Sequence, residues 1–213
     1  MDTTKDSARG FSVRSIERAC RVVAIFFMPP LSATYVFLAL SFASGLLNTF
    51  FFLAISFFFA TLLEVSSLLA YVQFSKKDAN VQDRADRPAL FAIAIFSYLA
   101  GFVALRYLQA PFTFSALMFA YFANTILAAL ITRYVTKVSI HTWGITGPSV
   151  AILYSLGAVG FLLMLILGVV VGSTRVRLGY HSTGQVALSF LASIPLTWFV
   201  VYVMPRVLPT IFG

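Results

Sequence analysis

The chain has 213 residues, of which 60% are hydrophobic, 16% aromatic and 10% charged; 15 basic residues against seven acidic ones give a formal charge of +8. A soluble domain carries roughly 45–50% apolar and about 25% charged residues, so this composition excludes a water-soluble globule, and it excludes intrinsic disorder for the same reason. Cys20 is the only cysteine, which excludes a disulfide scaffold, and the class that remains is an integral membrane protein.

In chain order, residues 1–21 form a polar segment with five basic and three acidic residues. It reads either as a solvated tail or as a short interfacial helix with Phe11, Val13, Ile16, Ala19 and Cys20 on its apolar side. Residues 22–213 read as a single transmembrane helical domain. Residues 22–63 carry no charge over 42 positions. A span needs about 20 residues, so this run predicts two helices with a break at Ala43-Ser44-Gly45, the second continuing past Glu64 to Phe74. Such a double-length apolar run predicts a retained membrane helix, not a cleaved signal peptide. Residues 88–105 and 107–132 are a third and a fourth run, with Pro111 near the start of the fourth, where a helix tolerates proline. Residues 138–174 and 178–205 hold His141 and His181 as their only titratable groups besides tyrosine. Runs of this length in lipid must be helices, because every backbone amide has to be paired within the segment. The fold class is therefore all-α: a polytopic membrane helical bundle of six to seven transmembrane helices. No separate soluble domain and no nucleic-acid surface is expected.

The charges are asymmetric. All seven acids fall at or before Asp86, whereas Arg87, Arg106, Arg133, Lys137, Arg175, Arg177 and Arg206 follow it. Arg106 and Arg206 fit the flanking of spans by cations. Arg87 and Arg175 fit an anion site better, because they accompany the histidines. The first histidine lies in Ser139-Ile140-His141, and the second in Arg175-Val176-Arg177-Leu178-Gly179-Tyr180-His181-Ser182-Thr183-Gly184-Gln185.

These residues resemble the type 2 phosphatidic acid phosphatase superfamily, which includes lipid phosphate phosphatases and polyprenyl diphosphatases. Its three motifs are Lys-x6-Arg-Pro, Pro-Ser-Gly-His and Ser-Arg-x5-His-x3-Asp. Arg175, His181 and Gln185 keep the spacing of the third, with Gln in place of Asp. Ser139 and His141 match the second, with Val138 and Ile140 in place of Pro and Gly. Arg87-Pro88 matches the first, where Asn80 stands in the Lys position and Lys76, Lys77 and Arg84 are nearby substitutes. The resemblance covers roughly residues 75–191. It implies a membrane-embedded phosphatase for lipid phosphates or polyprenyl diphosphates that needs no metal or other cofactor. His181 would attack phosphorus and form a phosphohistidine, and His141 would protonate the leaving oxygen. Gln185 would orient His181 through its amide oxygen. Arg87, Arg175 and Ser139, helped by Arg84 or Lys77, would hold the phosphoryl oxygens. Such chemistry rests on positioning and charge, for which histidine is suited near neutral pH. Two other readings are a degenerate relative that binds lipid phosphate or acts as a scaffold, and a small anion transporter.

The resemblance carries a geometric demand. As one straight helix, the residues between His141 and Arg175 would extend about 50 Å at 1.5 Å per residue, leaving the two motifs on opposite membrane faces. A hairpin turning near Gly157-Ala158-Val159-Gly160 would reunite them. All motif loops then share the N-terminal face, which also collects most of the Lys and Arg, and that bias puts the site on the cytoplasmic side. Asn124 and Gln109 are expected to be interhelical hydrogen-bond partners, and the phenylalanines of residues 50–59 lipid-facing or packed bulk. Glu64 should lie near an interface, pair with an arginine or be protonated.

Overall fold

The computed structural model describes residues 3–76, 81 and 83–209, and every regular element among them is helical. The order is α1 (Thr3–Phe26), α2 (Pro29–Ala43), α3 (Leu46–Phe57), α4 (Leu63–Ser75), α5 (Arg87–Tyr107), α6 (Phe112–Tyr134), α7 (Ile140–Thr146), α8 (Ser149–Arg177), α9 (Thr183–Trp198) and α10 (Met204–Val207). Five stretches are long and apolar enough to cross a membrane: Thr49–Ser75, Arg84–Tyr107, Phe112–Tyr134, Ser149–Arg177 and Thr183–Val207. Arg14–Phe26 and Pro29–Ala43, bent by 58° at their junction, make a sixth if counted as one broken span.

The expected helix starting at residue 22 is thus divided. Pro29 and Pro30 cannot donate to the preceding turn, and the residue before a proline is driven out of the helical region. Met28 accordingly sits at φ −63°, ψ 146°. The polar segment is not a separate element either, because α1 runs through residue 21 to Phe26. Of its expected apolar side, Cys20 is buried while Ile16 and Ala19 are exposed; the side chains of Phe11 and Val13 lie outside the described residues.

The break after Ala43 falls where the sequence placed it, at Ser44 and a Gly45 with φ 86°. α3 and α4 are joined by a π-helical turn, Phe58–Leu62. There the Ser97 hydroxyl of α5 donates to the Phe59 carbonyl at 2.6 Å, a neighbour serving the backbone of an irregular turn in an apolar setting. Around this turn Phe50, Phe51, Phe57 and Phe58 are exposed, and Phe52 and Phe59 pack against the core.

α8, counted above as one stretch by length and composition, is two helices. Gly157 has φ 80° and ψ −174°, a region open essentially to glycine alone, and there the chain reverses. A Cβ built on Gly168 would meet Thr146, and one on Gly172 would meet Thr142. Residues 140–156 and 158–177 are therefore antiparallel arms about 25 and 30 Å long. The second arm turns Val159, Leu162, Leu163, Ile166, Val169 and Val170 outward and buries Gly168, Val171, Gly172 and Arg175. α9 packs antiparallel on the same glycines, with Val186 against Gly172 and Phe190 against Gly168.

A column of polar side chains ties the hairpin to α9 and α6. Ser189 accepts from the Ser139 backbone N–H at 3.1 Å, Thr146 and Ser193 share a hydrogen bond of 2.7 Å, and Asn124 donates to Thr197 at 2.8 Å while accepting from the Trp143 indole at 2.8 Å. Asn124 thus has its expected role. Gln109 instead occupies the α5–α6 turn with φ 55°.

The reversal yields a test. No atom lies within 4 Å of a Cβ added at Gly157, so Gly157→Ala strains only the backbone. It should lower the unfolding free energy by about 1–3 kcal/mol. Equilibrium unfolding in mixed micelles measures this, and an unchanged midpoint would contradict the reversal.

Candidate functional site

The two free ends of the hairpin meet at one end of the bundle, beside the starts of α5 and α9. Arg87, in the first turn of α5, is buried, and it donates from Nε to the Val81 carbonyl and from Nη1 to the Val138 carbonyl, both at 3.1 Å. It therefore pins the segment before α5 to the segment before α7, three residues ahead of His141. A ring nitrogen of His141 is hydrogen-bonded to the backbone of Ala24 in α1, and the fields of Arg175, His181 and Arg87 reach that ring.

The path from Arg175 to His181 is a helix ending. The Gly179 N–H donates to the Val176 carbonyl at 3.0 Å, and the Tyr180 N–H to the Arg175 carbonyl at 3.0 Å. With Gly179 at φ 73°, this is a Schellman closure, which returns the chain onto the last helical turn. Such closures usually carry a contact between the residue after the glycine and the turn before it. Here Tyr180 makes that contact, its ring centroid 4.3 Å from the guanidinium carbon of Arg175. Arg175 is only 1% exposed, and its carbonyl also accepts from the His181 N–H at 3.3 Å.

His181 then leads directly into the start of α9. Ser182 is the N-cap, and Gln185 completes a capping box: the Gln185 N–H donates to Ser182 Oγ at 3.3 Å, and Gln185 Oε1 accepts from the Ser182 N–H at 3.2 Å. The same Oε1 lies 3.1 Å from His181 Nδ1, and Gln185 Nε2 donates to Thr136 Oγ1 at 3.1 Å. Because the amide atom facing Ser182 N–H must be oxygen, His181 Nδ1 must be the donor. Nε2 is left with its lone pair. Burial pushes the His181 ring down, the Gln185 bond opposes this, and the cations Arg87, Arg175 and Lys137 add to it, leaving the ring at about 4. His181 is thus neutral at pH 7.

Lys137 is a cation near the site that the motifs do not include. Burial and the neighbouring Arg87 and Arg175 lower its ammonium from the ordinary lysine value, and Asp83 partly offsets them. The motif asks for a lysine before Arg87; Lys137, in the segment between α6 and α7, stands near both arginines but does not line the cavity. The available signal was the position of Lys137, two residues before Ser139.

Not every sequence candidate reaches the site. Ser139 is fully buried; its N–H is taken by Ser189 of α9 and its hydroxyl pairs with Thr142 at 2.9 Å. It is turned toward α9 and does not line the cavity. Arg84 is exposed on a one-turn 3-10 helix (Arg84–Asp86) and does not line the cavity either. Lys77, like Asn80, lies outside the described residues.

Arg87, His141, Arg175, Tyr180 and His181 line a cavity of about 680 Å³. Its remaining walls are largely apolar, with Leu68, Leu90, Phe91, Ala94 and Leu117 among them, and Arg21 of α1 joins the lining. Among the described residues no three His, Cys, Asp or Glu side chains cluster as metal ligands. The arrangement places two imidazoles beside two guanidinium groups, next to largely apolar space.

Comparison of the chain with known protein families, with curated proteins and with solved structures finds no match, and its chemistry has to be argued from these residues.

Proposed function

We propose that this protein is a membrane-embedded phosphatase for lipid phosphates or isoprenoid diphosphates, working through a phosphohistidine. The observation that carries the reading is the convergence of both histidines with Arg87 and Arg175 on one largely apolar cavity. A polar headgroup would occupy the cationic end and the tail the apolar walls. The Lys and Arg bias toward this face supports a cytoplasmic site.

The phosphoryl oxygens lie between Arg87 and Arg175, with Lys137 adding positive charge. His181 Nε2 attacks phosphorus, and the P–O bond to the leaving group breaks. The electron pair departs with that oxygen, which takes a proton from His141. Burial and the fields of Arg175, His181 and Arg87 push the His141 ring down, so the proton that it passes on comes from a phosphate group that enters singly protonated. Water then attacks the phosphohistidine, the P–N bond breaks, the water's proton returns to His141, and inorganic phosphate leaves. Gln185 keeps Nε2 unprotonated and aimed throughout.

A second reading, a lipid-phosphate binder without turnover, is favoured by the neutral Gln185, which offers His181 no charge as it becomes cationic. Release of inorganic phosphate separates the two readings.

Outcomes of three kinds are expected, in metal dependence, in variants of the site and in pH. The purified protein hydrolyses a lipid phosphate with no added metal. His181→Gln and His141→Gln each lower kcat/KM by at least about a hundredfold with the melting temperature retained; wild-type rates in both would end the proposal. Arg175→Lys, which keeps the charge but not the planar fork, costs about 10–100-fold. The third outcome concerns pH. Protonating His181 removes the nucleophile, so its contribution is present above about pH 4 and is lost as pH falls through that value. A carboxylate at position 185 favours the imidazolium, so Gln185→Glu should raise the His181 value by about 1–2 units, as read by NMR titration of the imidazole. An unmoved titration would show that Gln185 does not govern His181.

A further inference from the structure

The wall of the cavity facing His141 carries a group that phosphoryl transfer does not use. Glu64 is the only acidic side chain among the described residues that line the cavity. It belongs to the long apolar stretch Thr49–Ser75, where an ionisable group marks function by default. Its Oε1 is buried with no hydrogen-bond partner, and so is the hydroxyl of Tyr121, a residue more than nine-tenths buried that lines the same cavity. Tyr98 joins them: its ring is 5.4 Å from that of Tyr121, and the field of Glu64 reaches it.

The depth of this cluster follows from two contacts. Thr61 donates to the Pro30 carbonyl at 2.9 Å, and a Cβ on Gly144 would touch Pro29 at 3.3 Å. Glu64 lies three residues beyond Thr61 toward the site end of its helix, and His141 three residues before Gly144 toward the same end. Both therefore stand about one turn above the Pro29–Pro30 level, on different walls of one cavity.

A substrate whose only charge is phosphate leaves this arrangement unsatisfied. Its negative group would sit between Arg87 and Arg175, with a carboxyl group at similar depth in the same cavity. A carboxylate beside two tyrosines is the chemistry that receives an ammonium group, by charge-assisted hydrogen bonding and by the aromatic faces. We propose that Glu64, Tyr98 and Tyr121 form an ammonium subsite, and that the ligand of the cavity is a phosphate lipid that also carries an amine. The proposal rests on the phosphatase reading for turnover, but not for binding. An isoprenoid diphosphate, which has no amine, would not use the subsite.

The test compares a long-chain 2-aminoalkyl phosphate with its N-acetyl form, in lipid nanodiscs, using wild type, Glu64→Gln and Tyr121→Phe. Wild type should prefer the free amine in kcat/KM by about tenfold or more. Glu64→Gln, which keeps the side chain's size, should bring that ratio to within about twofold of one, and Tyr121→Phe should lower it about threefold. A wild-type ratio near one, or a ratio unchanged in Glu64→Gln, overturns the ammonium subsite while leaving the phosphatase intact. If neither compound yields inorganic phosphate, the phosphatase reading fails by itself. The affinities of the two corresponding phosphonates then decide the subsite. A tenfold preference for the amine that disappears in Glu64→Gln supports it, and equal affinities overturn it.

Discussion

The φ 80° backbone of Gly157 folds residues 140–177 into two antiparallel arms, and the site is made from the two ends farthest from that turn. Without the reversal His141 and Arg175 would be some 50 Å apart, and no local adjustment could reunite them. The arms can lie this close because Gly168 and Gly172 present no side chain to Thr146 and Thr142, or to Phe190 and Val186 of α9. In an apolar surround, where burial of hydrocarbon drives helix association only weakly, close backbone approach and interhelical hydrogen bonds carry the packing. The Ser139–Ser189, Thr146–Ser193 and Asn124–Thr197 bonds supply the second of these along one face of α9.

The spacing Arg175-x5-His181-x3-Gln185 has a structural meaning of its own. Five intervening residues are what a Schellman closure and one linking residue require, and three are what separates the residue before an N-cap from the third position of the new helix. Arg175, His181 and Gln185 are thus fixed to one another by backbone hydrogen bonds at a helix end and a helix start, with little freedom left to the loop. Gln185 serves three neighbours at once: Ser182, His181 and Thr136. An aspartate, one methylene shorter, would not cap α9 in the same way. Glutamine keeps the cap and the tautomer of His181 and leaves that ring neutral, whereas a carboxylate would raise it.

What was legible in the sequence follows the physics that dominates each region. Spans announce themselves through charge-free runs, and the breaks at Gly45 and Gly157 through glycine, because these features depend on single residues. The division at Pro29-Pro30 was equally local, but hydropathy, which averages over a window, concealed it. Side-chain direction was less accessible. Ser139 lies beside His141 in sequence, yet a hydrogen bond from a helix fifty residues away turns it from the cavity. Lys137 belongs to the cationic group through the fold alone. Glu64 was visible as an anomaly, but nothing in its neighbours along the chain could place it across a cavity from His141.

The charge surplus has two origins that must be separated. Arg106 and Arg206 end helices away from the histidines and have the character of span flanks, while Arg87, Arg175 and Lys137 gather at one point, against their mutual repulsion, with Asp83 as a partial offset. Arg87 and Arg175 are like charges that are both buried, which raises the free energy of the fold, and an anion placed between them would lower it. The neutral state of His181 belongs to the same balance, since burial first and then the neighbouring cations keep the imidazole unprotonated. Part of the cation bias by which sidedness is judged therefore lies in this buried cluster, and Arg133 and Arg177, which lie outside the cavity, bear on sidedness independently of it.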